Sequence, residues 1–404
     1  MFQIKFKKFT YTIVGFIMLF FTGCGGGSGG GGGSAADVVL HPGDIVSLTK
    51  TATYTPTQMA EILNDMHISS PIVYGIETFL LIYKTVDQNG NVINASGLLA
   101  IPLGLTLPTA LISDQHGTIF SDDEAPSNNP LNASVILMTA MKGFILAMPD
   151  YIGFGASSDK LHPYLIEKPS ATAVMDMIRA VRKYCASNNI PLNDKLFLSG
   201  YSEGGYVTMA TLKEMEEKYA DEFKVTAAAP MAGPYDLKAT TDFTLFNSML
   251  NYSPFVADVV YSYNEYYGWN RLKEIINEPY ADKLASLFDG DKKGDDIFAQ
   301  LTNMTSQLFR PDFLAGYFSD GEQEIKNALA ENSVHNWTPK SNMRIIHCDH
   351  DPIVPYFNAQ NAFENFIANG SKNVELITLE GDDHVECAGP SYLQTVSWFE
   401  TLRY

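Results

Sequence analysis

The pentapeptide Gly200-Tyr201-Ser202-Glu203-Gly204 combines residue types and spacing that are suited to nucleophilic chemistry. It matches the pattern G-x-S-x-G, and it lies where the apolar run "KLFLSG" ends and a helix-compatible run begins. A sharp turn from a strand into a helix requires small neighbours, and it exposes the serine hydroxyl above the edge of a sheet. The pattern therefore predicts that Ser202 is a nucleophile. The alternative is a serine that only caps the following helix.

A serine hydroxyl is a weak nucleophile until a general base removes its proton, so a histidine is required. The sequence offers eight candidates, which are His41, His67, His116, His162, His335, His347, His350 and His384. When the serine occupies such a turn, the acid and then the histidine follow it along the chain. His384 lies in "GDDHVE", directly after the last predicted strand, and is the predicted base. The alternative is an ordinary histidine of a surface loop.

Two carboxylates compete for the role of the acid. Asp349 and Asp351 both follow the predicted strand "RIIHC", and their spacing does not choose between them. The acid would orient the histidine and stabilise the imidazolium that forms during the reaction.

The same loop contains five consecutive residue types that can bind metals, "HCDHD". Zinc ligands are usually spaced so that they converge on one point, whereas adjacent residues at the end of a strand point in different directions. A metallo-hydrolase that uses this run with Asp382 and Asp383 is therefore the weaker interpretation. We expect neither a metal nor a cofactor.

Short apolar strands alternate with helical patterns, which is typical of a mostly parallel sheet with helices on both faces. The predicted strands of this part are residues 109–115, 143–150, 195–200, 224–233, 342–348 and 373–380. A β-hairpin that turns at Asn89-Gly90 precedes them. We interpret residues 38–70 as an extension with one helix at "PTQMAEILNDM", and "NASVILMTAMK" as a further helix.

Residues 234–341 break this alternation with helical patterns rich in Tyr, Phe, Trp and Leu. The α/β pattern continues on both sides of the segment. We therefore interpret it as a helical cap inserted between two strands, with residues 37–233 and 342–404 forming the core. A separate domain is the alternative.

Residues 1–23 have the pattern of a signal peptide, with lysines followed by an apolar run of 13 residues, too short to span a bilayer. "FTGC" resembles the cleavage signal of bacterial lipoproteins, which implies cleavage before Cys24 and acylation of its thiol. Residues 24–36 then form a Gly/Ser-rich tether. The resemblance implies a lipid-anchored protein of the bacterial cell envelope, periplasmic or at the cell surface. An ordinary signal peptide and an uncleaved anchor are the alternatives.

The composition restricts the function further. With 404 residues, of which 46% are hydrophobic, the chain can bury a large core. Its formal net charge of −19 repels phosphate backbones, so we expect no nucleic-acid partner. Four cysteines are too few for a disulfide scaffold. We expect a monomer.

From about residue 70 to the end, the chain resembles the α/β-hydrolase superfamily, and within it the secretory lipases and related bacterial esterases. The resemblance is carried by "SDQHGTIFSDDEAPS", "MPDYIGFGASSDKLHPY", "ATAVMDMIRAVRKY" and the serine motif. "HCDHDPIVP" is similar to the superfamily pattern H-G-x-x-D-x-x-V-P, with Cys348 in place of the glycine, and this implies Asp351 as the acid, with Asp349 as the rival. The implied fold is an α/β-hydrolase core with a mostly parallel central sheet covered by helices and a helical cap insertion.

The resemblance also implies an oxyanion hole, in which one backbone N–H comes from Gly117 or Thr118 and the other from Glu203. Preorganised donors of this kind stabilise the charge that develops during acyl transfer. Asp150, His162 and Tyr164 belong to a family-like stretch, and we expect structural roles for them; a substrate contact is the alternative for Asp150.

Cys348 departs from the family pattern, and Cys387 lies three residues beyond His384. A disulfide between them would tie the loop of the acid to the loop of the base; two reduced, buried thiols are the alternative. Cys185 lies in an amphipathic helix and is expected in the core.

Together these features predict a serine hydrolase of carboxylic esters with hydrophobic acyl or aryl groups, acting on a small-molecule or lipid ester substrate. Two further interpretations are a serine peptidase with the same fold and a non-catalytic binding lipoprotein.

Overall fold

In the computed structural model, which describes residues 40–65, 72–131 and 136–404, nine strands form one mixed sheet. The strands are β1 (Ile45–Tyr54), β2 (Ile76–Val86), β3 (Val92–Pro102), β4 (Thr109–Gln115), β5 (Ile145–Pro149), β6 (Leu192–Tyr201), β7 (Val225–Met231), β8 (Asn342–Cys348) and β9 (Val374–Leu379). Their spatial order is β1-β2-β3-β5-β4-β6-β7-β8-β9. In this order, the first three neighbouring pairs, β1–β2, β2–β3 and β3–β5, are antiparallel. The remaining pairs, β5–β4, β4–β6, β6–β7, β7–β8 and β8–β9, are parallel.

The hairpin between β2 and β3 confirms the prediction at Asn89-Gly90. Val86 pairs with Val92 at its closed end. The side chain of Asp87 accepts hydrogen bonds of 2.8 Å from the backbone N–H groups of Asn89 and Asn91, as aspartate does in turns. Gly90 has a φ of +79°, which a residue with a Cβ rarely adopts.

Strand β1 corrects the interpretation of residues 38–70, which expected a helix and no strand. The helix is present as α1 (Pro56–Asp65), but it follows a ten-residue strand at the edge of the sheet. β1 is rich in Ser and Thr and mostly exposed or half-buried, so its apolar alternation is weak. The segment is a strand because it pairs antiparallel with β2, a contact that the local pattern does not show.

After α1, two further α-helices precede the cap segment, α2 (Glu167–Ser187) and α3 (Glu203–Lys218), and a π-helical turn spans Ile136–Met141. The cap segment, residues 234–341, contains α4 (Leu237–Phe246), α5 (Ser253–Tyr267), α6 (Leu272–Ile275), α7 (Leu284–Leu287), α8 (Gly294–Phe298), α9 (Thr305–Leu308), α10 (Pro311–Tyr317) and α11 (Gln323–Glu331). Helices α12 (Phe357–Ala368) and α13 (Ala388–Thr401) follow β8 and β9. Among the described helices, none is both long enough and apolar enough to cross a membrane.

The sheet is buried on both faces. All seven residues of β4 are buried, as expected for a central parallel strand. On one face, Val174 of α2, Val207 of α3 and Phe366 of α12 belong to the largest hydrophobic cluster. On the other face, Met59 of α1 and Phe399 of α13 belong to a second cluster. Each fully buried side chain of this size contributes roughly 1.5–3 kcal/mol, so the two layers hold the sheet firmly. The predicted fold class is confirmed.

Candidate active site

Ser202 lies at the junction between β6 and α3, in a conformation that residues with a Cβ rarely adopt. Its φ is 61° and its ψ is −122°. Such backbone strain costs on the order of 1–3 kcal/mol and persists only where the surroundings enforce it. Here the Ser202 N–H donates to the carbonyl of Met231 on β7 at 2.9 Å, and the carbonyl of Ser202 accepts from Gly205 in the first turn of α3. The turn therefore holds the side chain at the carboxyl edge of the sheet.

Two glycines of the motif are explained by close backbone approach. A Cβ on Gly204 would lie 1.9 Å from the carbonyl oxygen of Gln115 at the end of β4. A Cβ on Gly200 would lie 2.3 Å from the carbonyl oxygen of Gly204 itself. Because backbone atoms cannot move aside cheaply, larger residues at these positions would push α3 away from the sheet.

Ser202, His384 and Asp351 form one continuous chain of hydrogen bonds. The Nε2 atom of His384 lies 2.9 Å from Ser202 Oγ, and its Nδ1 atom lies 2.5 Å from Asp351 Oδ2. Since the carboxylate accepts from Nδ1–H, Nε2 is left with a lone pair toward the serine hydroxyl. His384 and Asp351 are 7% and 6% exposed, so water has little access to their hydrogen bonds. This arrangement allows a proton to pass from Ser202 to His384.

The carboxylate of Asp351 is fixed by its own loop. Its Oδ1 atom accepts from the backbone N–H groups of Ile353 and Val354, both at 2.9 Å. Burial alone would raise the pKa of this carboxyl, but hydrogen bonds from His347 and His384 hold the pKa well below its usual range. The carboxyl of Asp351 is therefore ionised at neutral pH.

His347 is a contact of Asp351 that the sequence did not indicate. Its ring is fully buried, and Nε2 lies 2.9 Å from the carbonyl oxygen of Val354 and 3.4 Å from Asp351 Oδ2. Nε2–H therefore donates to the carbonyl and lies next to the carboxylate. The side chain bridges β8 to the far end of the loop.

The rival carboxylate, Asp349, lies on a different hydrogen-bond network. Its Oδ1 atom accepts from the ring of His350 at 2.9 Å and from the N–H of Gly381 at 3.2 Å. The residues of the "HCDHD" run do not converge, since the side chain of His350 is 74% exposed while that of His347 is buried. In the described part of the chain, no group of three or more His, Cys, Asp or Glu is arranged to hold a metal ion.

Two further links connect the loops that carry these residues. The hydroxyl of Tyr201 donates to the carbonyl of His384 at 2.6 Å. Cys348 and Cys387 are joined as a disulfide, with their Cα atoms 6.3 Å apart. The end of β8 is thus bonded covalently to the segment after His384. Cys185 is free and buried, and burial raises its pKa to about 12, so it is an unreactive core thiol.

The proposed oxyanion residues flank the serine. A Cβ on Gly117 would lie 3.6 Å from the Cβ of Ser202, so the backbone of Gly117 borders the nucleophile. Thr118 lines the same cavity as Ser202, and its Oγ1 atom lies 2.9 Å from the hydroxyl of Tyr164. Glu203 begins α3, where the first N–H groups of a helix have no acceptor within the helix.

A mostly apolar cavity extends from Ser202 into the cap segment. At the site it is bordered by Thr118, Ser202 and Glu203. Its walls come mainly from hydrophobic residues of the cap segment, among them Leu237, Leu245, Phe255, Val256, Val259, Val260, Tyr263, Trp269, Ile275, Phe309, Phe313, Tyr317, Ile325 and Leu329. A pocket of this kind suits an apolar ligand group.

Asp150 has the structural position that we expected. Its carboxylate is fully buried and accepts from Ser96 Oγ at 2.6 Å and from the N–H of Ser127 at 2.8 Å. It therefore fastens the loop after β4 to strand β3. Cys24 and the predicted signal peptide and tether lie outside the described residues.

The strand order, the serine at the turn after β6 and the histidine after β9 are those of the α/β-hydrolase fold. Residues 128–403 match the secretory lipase family, which is more than half of the chain. The chain therefore belongs to that family.

Solved structures agree with the assignment of the fold. A protein from Legionella pneumophila is 27% identical, and the match covers 89% of this chain and 98% of that one, with a TM-score of 0.82. The rice cell wall degrading esterase LipA from Xanthomonas oryzae is 25% identical over 89% of this chain and 97% of its own, with a TM-score of 0.79.

Among curated proteins, Lipase 1 of Candida albicans is 24% identical over 260 residues, which are 61% of this chain and 52% of that lipase. The chain spans about half, or less, of the length of the curated relatives that it matches.

Proposed function

We propose that the protein is a serine hydrolase that cleaves carboxylic esters through an acyl-enzyme. The observation that carries this proposal is the chain of hydrogen bonds from Ser202 Oγ through His384 to Asp351, with distances of 2.9 and 2.5 Å. It lies at one end of an apolar cavity, so the ester bond and its hydrophobic substituent have adjacent places. Membership of the secretory lipase family supports the same class of reaction.

The chemistry follows from the roles of these three residues. His384 Nε2 accepts the proton of Ser202 while Oγ attacks the ester carbonyl. Asp351 keeps the ring in the required tautomer and stabilises the imidazolium. His384 then donates the proton to the leaving alcohol, and water hydrolyses the acyl-enzyme by the same steps. The low pKa of Asp351 supports this assignment because the acid has to stay ionised throughout.

We assign the oxyanion hole to the backbone N–H of Glu203 together with that of Gly117 or Thr118. The backbone of Gly117 borders Ser202, and Glu203 follows Ser202 in the sequence, so both backbone segments lie next to the serine. Losing one such donor typically lowers the rate by about 100- to 1000-fold.

The substrate is proposed to carry a hydrophobic acyl or aryl group, which would enter the cavity of the cap segment. Thr118, Ser202 and Glu203 are the polar residues where the ester would lie, whereas rings and branched aliphatic side chains form the far walls. We further propose that the protein is exported and held in the envelope through lipidation of Cys24, and that it acts as a monomer.

A fluorophosphonate probe tests this function because it labels only an activated serine. The mature protein should be labelled, and Ser202→Ala should not be, whereas Ser158→Ala, which changes an exposed serine, should be labelled like the wild type. A wild-type protein that never reacts would refute the proposal and favour a binding protein on this fold.

Substrate class is tested separately, with p-nitrophenyl esters from acetyl to palmitoyl and with aminoacyl and dipeptidyl anilides. Hydrolysis of the esters alone is the expected result. Hydrolysis of anilides in preference to esters would identify a peptidase with the same residues.

A further inference from the structure

Three ionisable side chains are buried beside the nucleophile turn and take no part in the hydrogen-bond chain of Ser202. Glu203 begins α3, His162 lies in the segment before α2, and Asp258 belongs to α5 of the cap segment. The side chains of Glu203 and His162 are 1% and 13% exposed, and Asp258 is 5% exposed. A buried charge is costly unless it is paired. The hydrogen bonds and charge interactions among these three groups therefore have to offset the cost of burying them.

The ring of His162 faces an oxygen atom at each nitrogen. Nδ1 lies 2.9 Å from the carbonyl oxygen of Ile152, and since a carbonyl only accepts, Nδ1 carries a proton. Nε2 lies 3.0 Å from Oε1 of Glu203. A neutral ring would direct a lone pair at the carboxylate. The pair therefore shares one additional proton, and an imidazolium that donates from both nitrogens satisfies both nitrogen atoms of the ring.

The electrostatics favour that imidazolium. Burial alone would lower the pKa of His162, but the charge of Glu203 and its hydrogen bond outweigh burial and raise this pKa above its ordinary value. Asp258 acts in the same direction. Other ionisable groups line the cavity shared by His162 and Asp258, and these are Asp159, Lys160, Tyr261, Glu265 and Asp289. Carboxylates are in the majority among them, which also favours a cation.

The contact with His162 is the hydrogen bond that anchors the carboxylate of Glu203. Among the described residues, the second carboxylate oxygen, Oε2, is buried without a hydrogen-bond partner. His162 is itself held in place, since its carbonyl accepts from Ser262 Oγ of α5 at 3.0 Å. A Cβ on Gly153 would lie 2.5 Å from the Cα of His162, so the backbone is tightly packed there as well.

We propose that His162 and Glu203 are a positioning pair for the reaction, in which the His162 ring fixes the Glu203 side chain and thereby the backbone N–H that follows Ser202. This inference rests on the proposed function, which assigns that N–H to the oxyanion hole. Neither side chain has to touch the substrate. Their effect is on the placement of a donor, and a displacement of about 1 Å near the chemistry can lower a rate by roughly 100-fold.

The His162–Glu203 pair should give kcat a specific dependence on pH. When the imidazolium loses its Nε2 proton at alkaline pH, the hydrogen bond to Glu203 is lost, and kcat should fall. In Glu203→Gln, the amide N–H donates to a neutral His162 instead. The contact then no longer needs the additional proton, so the alkaline decrease in kcat should disappear.

The experiment compares kcat and KM for one ester across about pH 6–10 in the wild type, Glu203→Ala and Glu203→Gln. Glu203→Ala should lower kcat by about 10- to 100-fold with KM changed by less than about threefold. Glu203→Gln should recover at least about tenfold of that loss and show no alkaline decrease. Asp258→Asn removes a negative charge near the imidazolium and should move the decrease to lower pH.

Glu214→Gln is the matched control, since Glu214 is buried on the same helix but pairs with Lys218. It should match the wild type in kcat and pH profile. If Glu203→Ala does not fold, the profile of Glu203→Gln decides alone, and an alkaline decrease that persists in it overturns the inference. Wild-type-like kinetics of Glu203→Ala overturn it too. If the wild-type protein never reacts with the fluorophosphonate probe, the proposed function itself is refuted, and the inference that rests on it is refuted with it.

Discussion

The hydroxyl of Tyr201 donates a 2.6 Å hydrogen bond to the backbone carbonyl of His384. The residue before Ser202 thus holds the loop of His384, although Tyr201 and His384 are 183 positions apart in the chain. The ring of Tyr201 also packs against the ring of His384, with 5.1 Å between centroids. The alignment of Ser202 and His384 therefore depends on β6 itself.

Tyr201→Phe keeps the ring and removes this hydrogen bond. We expect a loss of about 1 kcal/mol in the free energy of unfolding. We also expect a decrease in kcat of about 3- to 10-fold, because the His384 loop gains freedom. Chemical denaturation and steady-state kinetics measure the two effects, with Tyr266→Phe in the cap segment as the control. Unchanged kcat would show that other contacts suffice to hold the loop.

Asp351→Asn distinguishes the two candidate acids. An amide in this position would favour the wrong tautomer of His384, so kcat should fall by about 10,000-fold. Asp349→Asn is the matched control, since Asp349 contacts His350 and Gly381, and its kcat should stay near that of the wild type. Equal losses in the two variants would contradict the assignment of the acid.

The Cys348–Cys387 disulfide closes a loop of 39 residues. Replacing both cysteines with alanine should destabilise the protein by about 4 kcal/mol if the effect is the entropy of loop closure. Activity should decline at lower temperatures than in the wild type because the loops of Asp351 and His384 separate first. Thermal unfolding and residual esterase activity test this, and Cys185→Ala serves as the comparison that leaves the disulfide intact.

Asp258 should make the stability of the protein fall as the pH rises. Burial raises its pKa from 3.8 to about 7 in the folded state, so the folded protein binds a proton that the unfolded chain has released. Stability therefore decreases between the unfolded pKa, about 4, and the folded value of about 7. Asp258→Asn should weaken this decrease. Melting temperatures between about pH 5 and 8 check the sign, and parallel curves for the two proteins would contradict it.

Val256→Trp should narrow the cavity of the cap segment. Since Val256 lies in its wall, kcat/KM for long-chain esters should fall by at least about tenfold, while acetyl esters should be little affected. Val256→Ala is the control that widens the cavity. A uniform loss across chain lengths would indicate that the acyl group binds elsewhere.

Much of the core follows from local patterns in the sequence. The glycines at 200 and 204 are required because an added Cβ would lie 2.3 Å and 1.9 Å from backbone oxygens, and the apolar strand before them ends where the turn begins. The prediction of His384 depends on chain order alone. Each of these features depends on one strand, one turn or one loop, so the neighbouring residues in the sequence are sufficient to predict it.

Other features depend on contacts that no spacing reveals. Asp351 and not Asp349 lies 2.5 Å from Nδ1 of His384, and the backbone N–H groups of residues 353 and 354 hold its carboxylate in that place. His347 reaches Asp351 because β8 directs its ring inward. Glu203 meets His162 across 41 residues of sequence. Strand β1 is recognisable only from its partner.

The cap segment leaves the core after β7 and returns at β8, while Ser202, Asp351 and His384 follow β6, β8 and β9. Insertions, deletions and substitutions within it can therefore accumulate without changing the register of any strand that carries a reacting group. Most of the walls of the apolar cavity and the three hydrogen-bonded residues Ser202, Asp351 and His384 therefore lie on separate segments of one chain.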